Sequence, residues 1–502
     1  MSKKEMIAYY EKMEKKLAAY GLAFSTMSYD QATIAPVKGK KAANELMGEL
    51  YNDYYQILQS DKYYQVVKVL YEHKDDLDPV LARKVSLTYR DLAAIKNVPL
   101  NELVSFEKAR ANAQVNWEKA KEANDYRLFA DDLATVIKWK KKFCAYRNPD
   151  MAAYDILLDD FQEEMSMAKY DEFFDLIKKE LVPLIKIVNQ KQAEIDDAFL
   201  NQEFAVEKQK EVTEFLRTYL DFDKSYGYIG TSVHPFTDGF TTNDVRITTN
   251  YDAKQLVSNI FSVIHEIGHA TYEHQVDEAY EYSKIHTGIS MAVHESQSRL
   301  FENNLGRSKA FWVNNYPKLQ KIFSKELNNI SLEQFYRAIN RSRSSLIRTE
   351  ADELTYPIHI LIRYELEKGI FDGSIKVEDL KEAWNQKYYD LLGVKVVDDK
   401  DGILQDVHWS GGDFGYFPTY ALGSSFACQF MHQMEKDLDV FEVLMGENIK
   451  PINTWLKTNI HQYGALYPAD TLMKKVTNQA VDPSYYVNYL KNKYMNLYNI
   501  KL

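Results

Sequence analysis

Cysteine, glycine and proline are all scarce in this chain of 502 residues. Its two cysteines, Cys144 and Cys428, lie far apart and outside any paired ligand spacing, which argues against both a disulfide framework and a cysteine zinc site. With 19 glycines and 12 prolines, few positions interrupt regular structure, and Lys, Glu, Leu, Ala and Tyr recur at helical spacing. We therefore predict a mainly α-helical protein with reduced thiols, located in the cytoplasm.

Long hydrophobic runs and an excess of basic charge are also absent. No segment approaches the roughly 20 apolar residues of a membrane span, and residues 1–12 lack the apolar core of a signal peptide. The 73 acidic and 62 basic residues give a net charge of −11, with no basic stripe that would neutralise phosphates. The sequence therefore predicts a protein that binds neither membranes nor nucleic acid.

The length of the chain favours two packed lobes with a cleft between them, since single cores stop growing at smaller sizes. Residues 1 to about 225 read as a helical N-terminal part without a clean boundary, and most chemically informative residues lie between about 226 and 430. Glycines interrupt the helical periodicity from Tyr226, and Phe240 to Tyr251 is rich in Thr, Val and Ile. This composition predicts a short hairpin or strands beside the cleft.

Two histidines on one helix, His265 and His269, give the clearest chemical signal. They lie four residues apart, within a segment of helical spacing from Ala253 to about Glu278, so both imidazoles project from one helix face toward a single ion. Glu266 points about 100° away from the first histidine, where it reaches a metal-bound water rather than the metal. The pattern is that of a zinc peptidase.

A plainer interpretation is that these are surface or core histidines and that Glu266 is merely solvated. The apolar flanks Phe261, Val263 and Ile264 indicate that the helix is buried. Three polar groups on a buried helix need a partner, which favours a metal.

A catalytic zinc needs a third protein ligand, and Glu295 is the candidate. It lies 26 residues after His269, where a following antiparallel helix would bring it back to the site. His274 is a rival, but the longer motif that uses a third histidine does not match here. His294 is another, but adjacent helical residues point about 100° apart, so only one of His294 and Glu295 faces the ion well.

With these residues and several separated motifs, the chain resembles the thermostable carboxypeptidase family of prokaryotic metallocarboxypeptidases, which carry a His-Glu-x-x-His site. The resemblance spans nearly the whole chain, and the N-terminal Trp-Asp-Gln of the family is Tyr29-Asp30-Gln31 here. The other matching motifs are Tyr154 to Asp160, His234-Pro235-Phe236, Asp244 to Thr248, His294-Glu295-Ser296-Gln297, Ile347 to Asp352 and Gly402 to Trp409.

The resemblance implies a mainly α, two-lobed, neurolysin-like peptidase fold with a deep substrate groove and a small β-sheet near the active site. It implies that residues 1–502 form a single metallocarboxypeptidase domain, commonly a homodimer. The expected activity is zinc-dependent release of single residues from peptide C-termini, with broad specificity but not beside proline. Two alternatives remain open: a zinc oligopeptidase that cuts short peptides internally, and a non-catalytic, metal-stabilised peptide-binding protein.

In the expected mechanism, zinc is held by His265, His269 and Glu295, with cobalt or manganese as substitutes. The zinc lowers the pKa of its water from about 16 toward roughly 7 and polarises the scissile carbonyl. Glu266, the general base, takes the water's proton and later delivers it to the leaving amine.

A carboxypeptidase must also recognise a free carboxylate, for which a guanidinium is well matched. The motif positions Arg246 and Arg348 are the candidates. The plainer interpretations are a helix salt bridge from Arg348 to Asp352 and an exposed strand charge at Arg246.

Three further residues are candidates for contact with the substrate. His408 and Tyr420 would donate to the tetrahedral oxyanion, although His408 equally suits a structural histidine. His234, next to a proline that extends the backbone, would position substrate, or else pack in its loop against Phe236.

Overall fold

The computed structural model describes residues 1–501. It is mainly α-helical with a small sheet, as predicted. The helices before the sheet are α1 (Lys3–Thr33), α2 (Lys40–Leu58), α3 (Asp61–Glu72), α4 (Pro79–Lys96), α5 (Leu100–Ala123), α6 (Arg127–Arg147), α7 (Ala153–Phe161), α8 (Met167–Lys191) and α9 (Val206–Tyr219).

The sheet follows α9, and the remaining helices follow the sheet. The strands are β1 (Gly227–Thr231), β2 (Thr237–Thr241) and β3 (Asp244–Thr249). The later helices are α10 (Leu256–Gln275), α11 (Met291–Arg299), α12 (Lys309–Ile322), α13 (Leu332–Ile339), α14 (Tyr356–Asp372), α15 (Leu380–Leu392), α16 (His408–Gly411), α17 (Pro418–Asp437), α18 (Val440–Leu444), α19 (Lys450–Asn459), α20 (Ala469–Thr477) and α21 (Ser484–Leu497).

The buried apolar side chains form two separate hydrophobic cores. The smaller core belongs to α1–α4 and is built around Tyr10, Tyr63 and Val67. The larger one runs from Phe106 to Tyr498 and takes in the sheet and the later helices. Helices α1–α4 contact the rest of the chain through ion pairs, such as Arg83 with Glu163, and through aromatic contacts, such as Tyr29 with Phe236 and Phe240.

The sheet is mixed, with β3 in the centre, parallel to β1 and antiparallel to β2. The register pairs Thr237 with Ile247 and Asp238 with Arg246. Because cross-strand partners share a face, Thr237 lies with the buried Ile247 on the face toward α10, and Arg246 lies on the opposite face. Of the strands expected between Phe240 and Tyr251, β3 is confirmed, whereas β2 begins before this range, at Thr237, and β1 was not predicted.

Helix α10 is buried almost all round. Two glycines allow α11 to pack closely against α10 on one side and against α17 on another. A Cβ at Gly268 would lie 2.8 Å from the carbonyl oxygen of Gln297, which brings α11 against α10. A Cβ at Gly423 would lie 2.8 Å from Cβ of Glu295, so α17 packs against the other side of α11. Helix α11 is therefore held between α10 and α17.

Within residues 1–501, no helix combines the length and the apolar character needed to cross a membrane.

Candidate metal centre

Three side chains from two helices converge beside the sheet. His265 and His269 project from one face of α10, with ring centroids 4.9 Å apart. Glu295 of α11 faces them: its Oε2 lies 3.8 Å from Nε2 of His265 and 3.5 Å from Nε2 of His269. The structure thus brings together the three residues that the sequence suggests as metal ligands.

These donors fit a divalent metal. Ligands about 2.0–2.1 Å from a tetrahedral zinc ion lie about 3.3 Å from one another, close to the two separations from Glu295. Two imidazole nitrogens with one carboxylate oxygen is also the donor set of several catalytic zinc sites, which keep one coordination position open. The site therefore has the chemistry and the spacing of a catalytic metal centre.

A buried charge network stands behind Glu295. Its Oε1 accepts from Nε of Arg299 at 2.6 Å, and Arg299 also pairs with Glu302 at 3.2 Å. Burial alone would raise the pKa of Glu295, but the Arg299 guanidinium and the two histidines hold it well below its usual range. Burial also raises the pKa of Glu302, yet Arg299, with help from His265 and Arg307, lowers it to about 2. Both carboxylates are ionised.

Glu302 also contacts the first histidine: Nδ1 of His265 donates to Oε2 of Glu302 at 2.9 Å. Glu302 lies in a π-helical segment, Leu300–Gly306, that continues α11. Burial disfavours the charged form of His265, but Glu302 and Glu295 on either side raise its pKa overall. A divalent cation bound by Nε2 of His265 would replace the proton on that nitrogen and would offset the negative charges of the same two carboxylates.

The second histidine has a different environment. Burial lowers the pKa of His269 to about 4, so its imidazole is neutral near pH 7, the form that ligates metals. Its Nδ1 lies 2.6 Å from Nδ1 of His294. The other rival ligand, His274, bonds the carbonyl of Thr242 and stacks on Tyr226. Neither His294 nor His274 belongs to the converging donor set.

Glu266, between the two histidines in sequence, is 7% exposed. Its Oε2 accepts from the hydroxyl of Thr237 on β2 at 2.6 Å. Burial raises the pKa of Glu266, against the opposing effects of His265 and Thr237. A carboxylate with a raised pKa next to a metal is suited to accept a proton from water.

An aromatic wall, formed by His408 of α16, Tyr416 in the loop that follows and Tyr420 of α17, lies near Glu295: burial, assisted by the charge of Glu295, raises the pKa of Tyr416. The ring of His408 stacks on Tyr416 with centroids 5.5 Å apart, and Tyr416 lies edge-on to Tyr420 at 5.1 Å. Burial lowers the pKa of His408 to about 4 and raises that of Tyr420 well above its usual range. Tyr420 therefore keeps its proton.

Tyr356, the first residue of α14, was missed by the sequence analysis. The Arg299 guanidinium lies 4.6 Å from its ring centroid, and its ring lies 6.4 Å from that of Tyr420. Burial raises its pKa. A lone tyrosine before a proline carries little sequence signal, so only the fold reveals this position.

Arg348 is buried and its charge is paired. Its Nε and Nη2 donate to Oδ1 of Asp406 at 3.0 and 2.9 Å, while Arg363 donates to Oδ2 of the same carboxylate at 2.7 Å. The interpretation of Arg348 as a partner of Asp352 is wrong, because the Arg348 guanidinium instead pairs with Asp406. The guanidinium also lies 5.2 Å from the ring of Tyr420, beside the aromatic wall.

Arg246 lies on the face of the sheet that points away from α10. It donates to both carboxylate oxygens of Asp244, at 2.8 and 2.7 Å, and stacks over Phe240 at 4.2 Å. Its side chain is 31% exposed, so it is a paired, partly buried charge. His234 is exposed in the loop between β1 and β2, where its carbonyl accepts from Ser232, and Phe236 packs edge-on against Tyr29.

Comparisons of the sequence with known proteins give matches over nearly the whole chain. The sequence model of the family described as carboxypeptidase Taq (M32) metallopeptidase matches residues 9–494. Carboxypeptidase 1 of Bacillus subtilis is 40% identical over 486 residues, which cover 96% of this chain and 97% of that protein. Thermostable carboxypeptidase 1 of Pyrococcus furiosus is 32% identical over 501 residues, 98% of either chain.

The fold comparison agrees. The crystal structure of an M32 carboxypeptidase from Deinococcus radiodurans R1 superposes with a TM-score of 0.93 at 29% identity, covering 99% of this chain and 100% of the other.

Proposed function

The chain belongs to the carboxypeptidase Taq (M32) family of metallopeptidases, and from this we propose that His265, His269 and Glu295 hold a zinc ion and that Glu266 is the general base. As a member of this family the protein is a metallocarboxypeptidase, a hydrolase that acts on peptide bonds with a divalent metal. The observation that carries the proposal is the convergence of three donor atoms, together with the buried carboxylate of Glu266, whose pKa, raised by burial, also responds to the charges of His265 and Glu295.

Zinc is the proposed metal because two imidazoles and one carboxylate suit it, and cobalt or manganese are expected substitutes. When bound, the metal supplies Lewis acidity, which lowers the pKa of water and polarises a carbonyl group. The two outer carboxylate contacts, from Arg299 to Glu295 and from His265 to Glu302, support this assignment because they fix the orientation of the donors.

Glu266 is proposed to take a proton from the attacking water and to return it to the leaving amine. Burial supports this role, since a raised pKa brings the carboxylate nearer to the pH at which it must accept and release a proton. The hydroxyl of Thr237 donates to Oε2 and leaves Oε1 for the water. Thr237 thus orients the base.

Tyr420 and His408 are proposed as donors to the oxyanion that develops on the scissile carbonyl. Support comes from the protonated, buried hydroxyl of Tyr420 and from its position on the wall shared with Tyr416. His408 is neutral near pH 7, so one of its ring nitrogens carries a proton to donate.

Arg348 and Arg246 are proposed to recognise the free carboxylate of the substrate, and His234 to position the peptide. Arg348 has the stronger support, because it lies beside Tyr420 and retains donors on Nη1 that the pair with Asp406 does not use. Arg246 pairs with Asp244, so it would have to share its guanidinium with the substrate.

The remaining parts of the proposal follow from the family. Peptides with a free C-terminus are the substrates, with broad side-chain preference and no release beside proline. The protein is proposed to be a homodimer. Two free, buried thiols, at Cys144 and Cys428, support a location in the reducing cytoplasm.

One experiment separates exopeptidase from endopeptidase activity. Two N-terminally blocked peptides of the same sequence, one with a free and one with an amidated C-terminus, are followed by mass spectrometry with and without a chelator. We expect sequential loss of residues from the free end only, and no loss after chelation. Internal cuts in both peptides would refute the proposal.

A further inference from the structure

The side chain of His294 connects a proposed metal ligand to a second carboxylate. Its Nδ1 lies 2.6 Å from Nδ1 of His269, and its Nε2 lies 2.5 Å from Oε1 of Glu273. Glu273 lies on α10, one turn beyond His269, whereas His294 lies on α11 immediately before Glu295. A chain of hydrogen bonds therefore runs from Glu273 through His294 to His269.

The positions of the protons in this chain follow from the proposed ligation. If Nε2 of His269 binds the metal, its lone pair points there and the ring proton is on Nδ1. That proton must be donated, so Nδ1 of His294 accepts it and the proton of His294 is on Nε2. The Nε2 proton then points at Oε1 of Glu273, an acceptor. Each link has one donor and one acceptor, and only this arrangement satisfies all three groups.

Two glycines leave the space that the chain of hydrogen bonds occupies. A Cβ at Gly288 would lie 2.7 Å from Cδ2 of His294, and a Cβ at Gly239 would lie 2.7 Å from Oε2 of Glu273. Tyr272 packs beside the imidazole, with ring centroids 5.4 Å apart. The rotamers of both His294 and Glu273 are thus set by close packing as well as by hydrogen bonds.

The two proposed histidine ligands are backed differently. Glu302, behind His265, also pairs with Arg299 and Arg307, which take up part of its charge. Within residues 1–501, the ion pair of Glu273 is with His294, and no lysine or arginine lies within ion-pairing distance of it. The negative charge of Glu273 therefore acts on His269 through the intervening imidazole.

We propose that His294 and Glu273 are positioning residues for the metal. They fix the tautomer and the ring orientation of His269 and raise its basicity as a ligand, without touching the metal themselves. The proposal rests on the metal site proposed above. Outer contacts of this kind change metal affinity by about 10–100-fold.

The test measures zinc affinity rather than activity. Dissociation constants are obtained by competition with a chromogenic chelator for the wild type, His294→Ala, Glu273→Ala and Glu273→Gln. The matched control is His274→Ala, which removes a half-buried imidazole from α10, the helix that carries His269 and Glu273, but an imidazole that bonds Thr242 instead. We expect zinc binding to weaken by about 10–100-fold in His294→Ala and Glu273→Ala, less in Glu273→Gln, and not in His274→Ala.

A further reference separates the two levels of the proposal. If His269→Ala binds zinc as tightly as the wild type, the metal site itself is misassigned. If His269→Ala loses zinc while His294→Ala and Glu273→Ala bind it like His274→Ala, the positioning role alone is refuted.

Circular dichroism and melting of the metal-free proteins report folding. Should His294→Ala fail to fold, the near-isosteric Glu273→Gln decides, and unchanged affinity there overturns the proposal. The visible spectrum of the cobalt-loaded proteins, which reports ligand geometry, should shift in the same variants.

Discussion

Arg299 donates from Nε to Oε1 of Glu295 at 2.6 Å, on the carboxylate oxygen opposite the one that faces the two histidines. The two residues lie four positions apart and come from the last two turns of α11. Because Oε1 is occupied by the guanidinium, Oε2 is the oxygen that faces the metal position, where it also accepts a longer hydrogen bond, at 3.2 Å, from the Ser298 hydroxyl. The arginine thus sets the orientation of the carboxylate and also offsets its buried charge.

Replacement of Arg299 by methionine is expected to destabilise the metal-free protein by about 3–5 kcal/mol, because Glu295 and Glu302 would remain buried without their partner. Denaturant unfolding of the metal-free protein measures this. The control is Arg127→Met, at a highly exposed arginine that pairs with Asp125, where no measurable change is expected. Equal stability of the two variants would show that the Arg299 network is not a major contributor.

Replacement of Glu266 by glutamine is expected to lower kcat by about 10²–10⁴-fold, since the amide cannot accept the proton. Zinc content should stay at the wild-type level, because Glu266 is not among the three donors. Steady-state kinetics and metal analysis of the same sample measure both. Glu278→Gln, at an exposed position just beyond α10, serves as the control. Near-normal turnover in Glu266→Gln would rule out its role as the base.

Replacement of Arg348 by lysine keeps a positive charge beside Asp406 but loses the planar fork. We expect kcat/KM for peptides with a free C-terminus to fall by about 10–100-fold, mainly through KM, since one or two charge-assisted hydrogen bonds are lost. Steady-state kinetics with blocked peptide substrates of increasing length measure how the loss divides between kcat and KM. Arg343→Lys, at an exposed arginine in the preceding loop, is the comparison. Unchanged KM in Arg348→Lys would transfer the role to another residue, with Arg246 next to be tested.

Glu367 gives the chain a pH-dependent stability that is independent of the metal centre. It is fully buried and accepts from Trp409, Tyr154 and Gly415. Despite these donors, burial raises its pKa from 4.5 to about 7. The folded state therefore binds a proton that the unfolded state has released, and the associated stability, full below about pH 4.5, is lost as pH rises through about 7.

Replacement of Glu367 by glutamine removes this titration. As pH rises from about 5 to about 8, the unfolding free energy of the wild type should fall relative to that of the variant by up to about 3 kcal/mol. Thermal unfolding of the metal-free proteins across this range measures the trend. Glu447→Gln, at an exposed position, should follow the wild-type curve. Parallel curves for the wild type and Glu367→Gln would mean that Glu367 does not titrate in this range.

The parts of the site that lie on one helix are predictable from the sequence. The spacing of His265 and His269 fixes their common face, because the helix period alone decides it. Arg299 was missed, although its distance from Glu295 is that of a helix-local ion pair and offered a signal. No sequence signal identified Glu302, since this residue reaches His265 from a π-helical segment that residue spacing does not reveal.

Contacts between elements were much harder to predict. Thr237 reaches Glu266 only because of the register of β2 with β3, which the sequence does not specify. Strand β1 was missed because its glycines indicated a break in regular structure. At Gly227, however, a Cβ would collide with the ring of Phe222, so this glycine marks close packing within a strand.

The most direct test of the central claim is diffraction from zinc-loaded crystals, with data collected on both sides of the zinc absorption edge. The account predicts one strong anomalous peak about 2.0–2.1 Å from Nε2 of His265, Nε2 of His269 and Oε2 of Glu295. A zinc-loaded crystal with no peak there, or with its strongest peak on other residues, would contradict it.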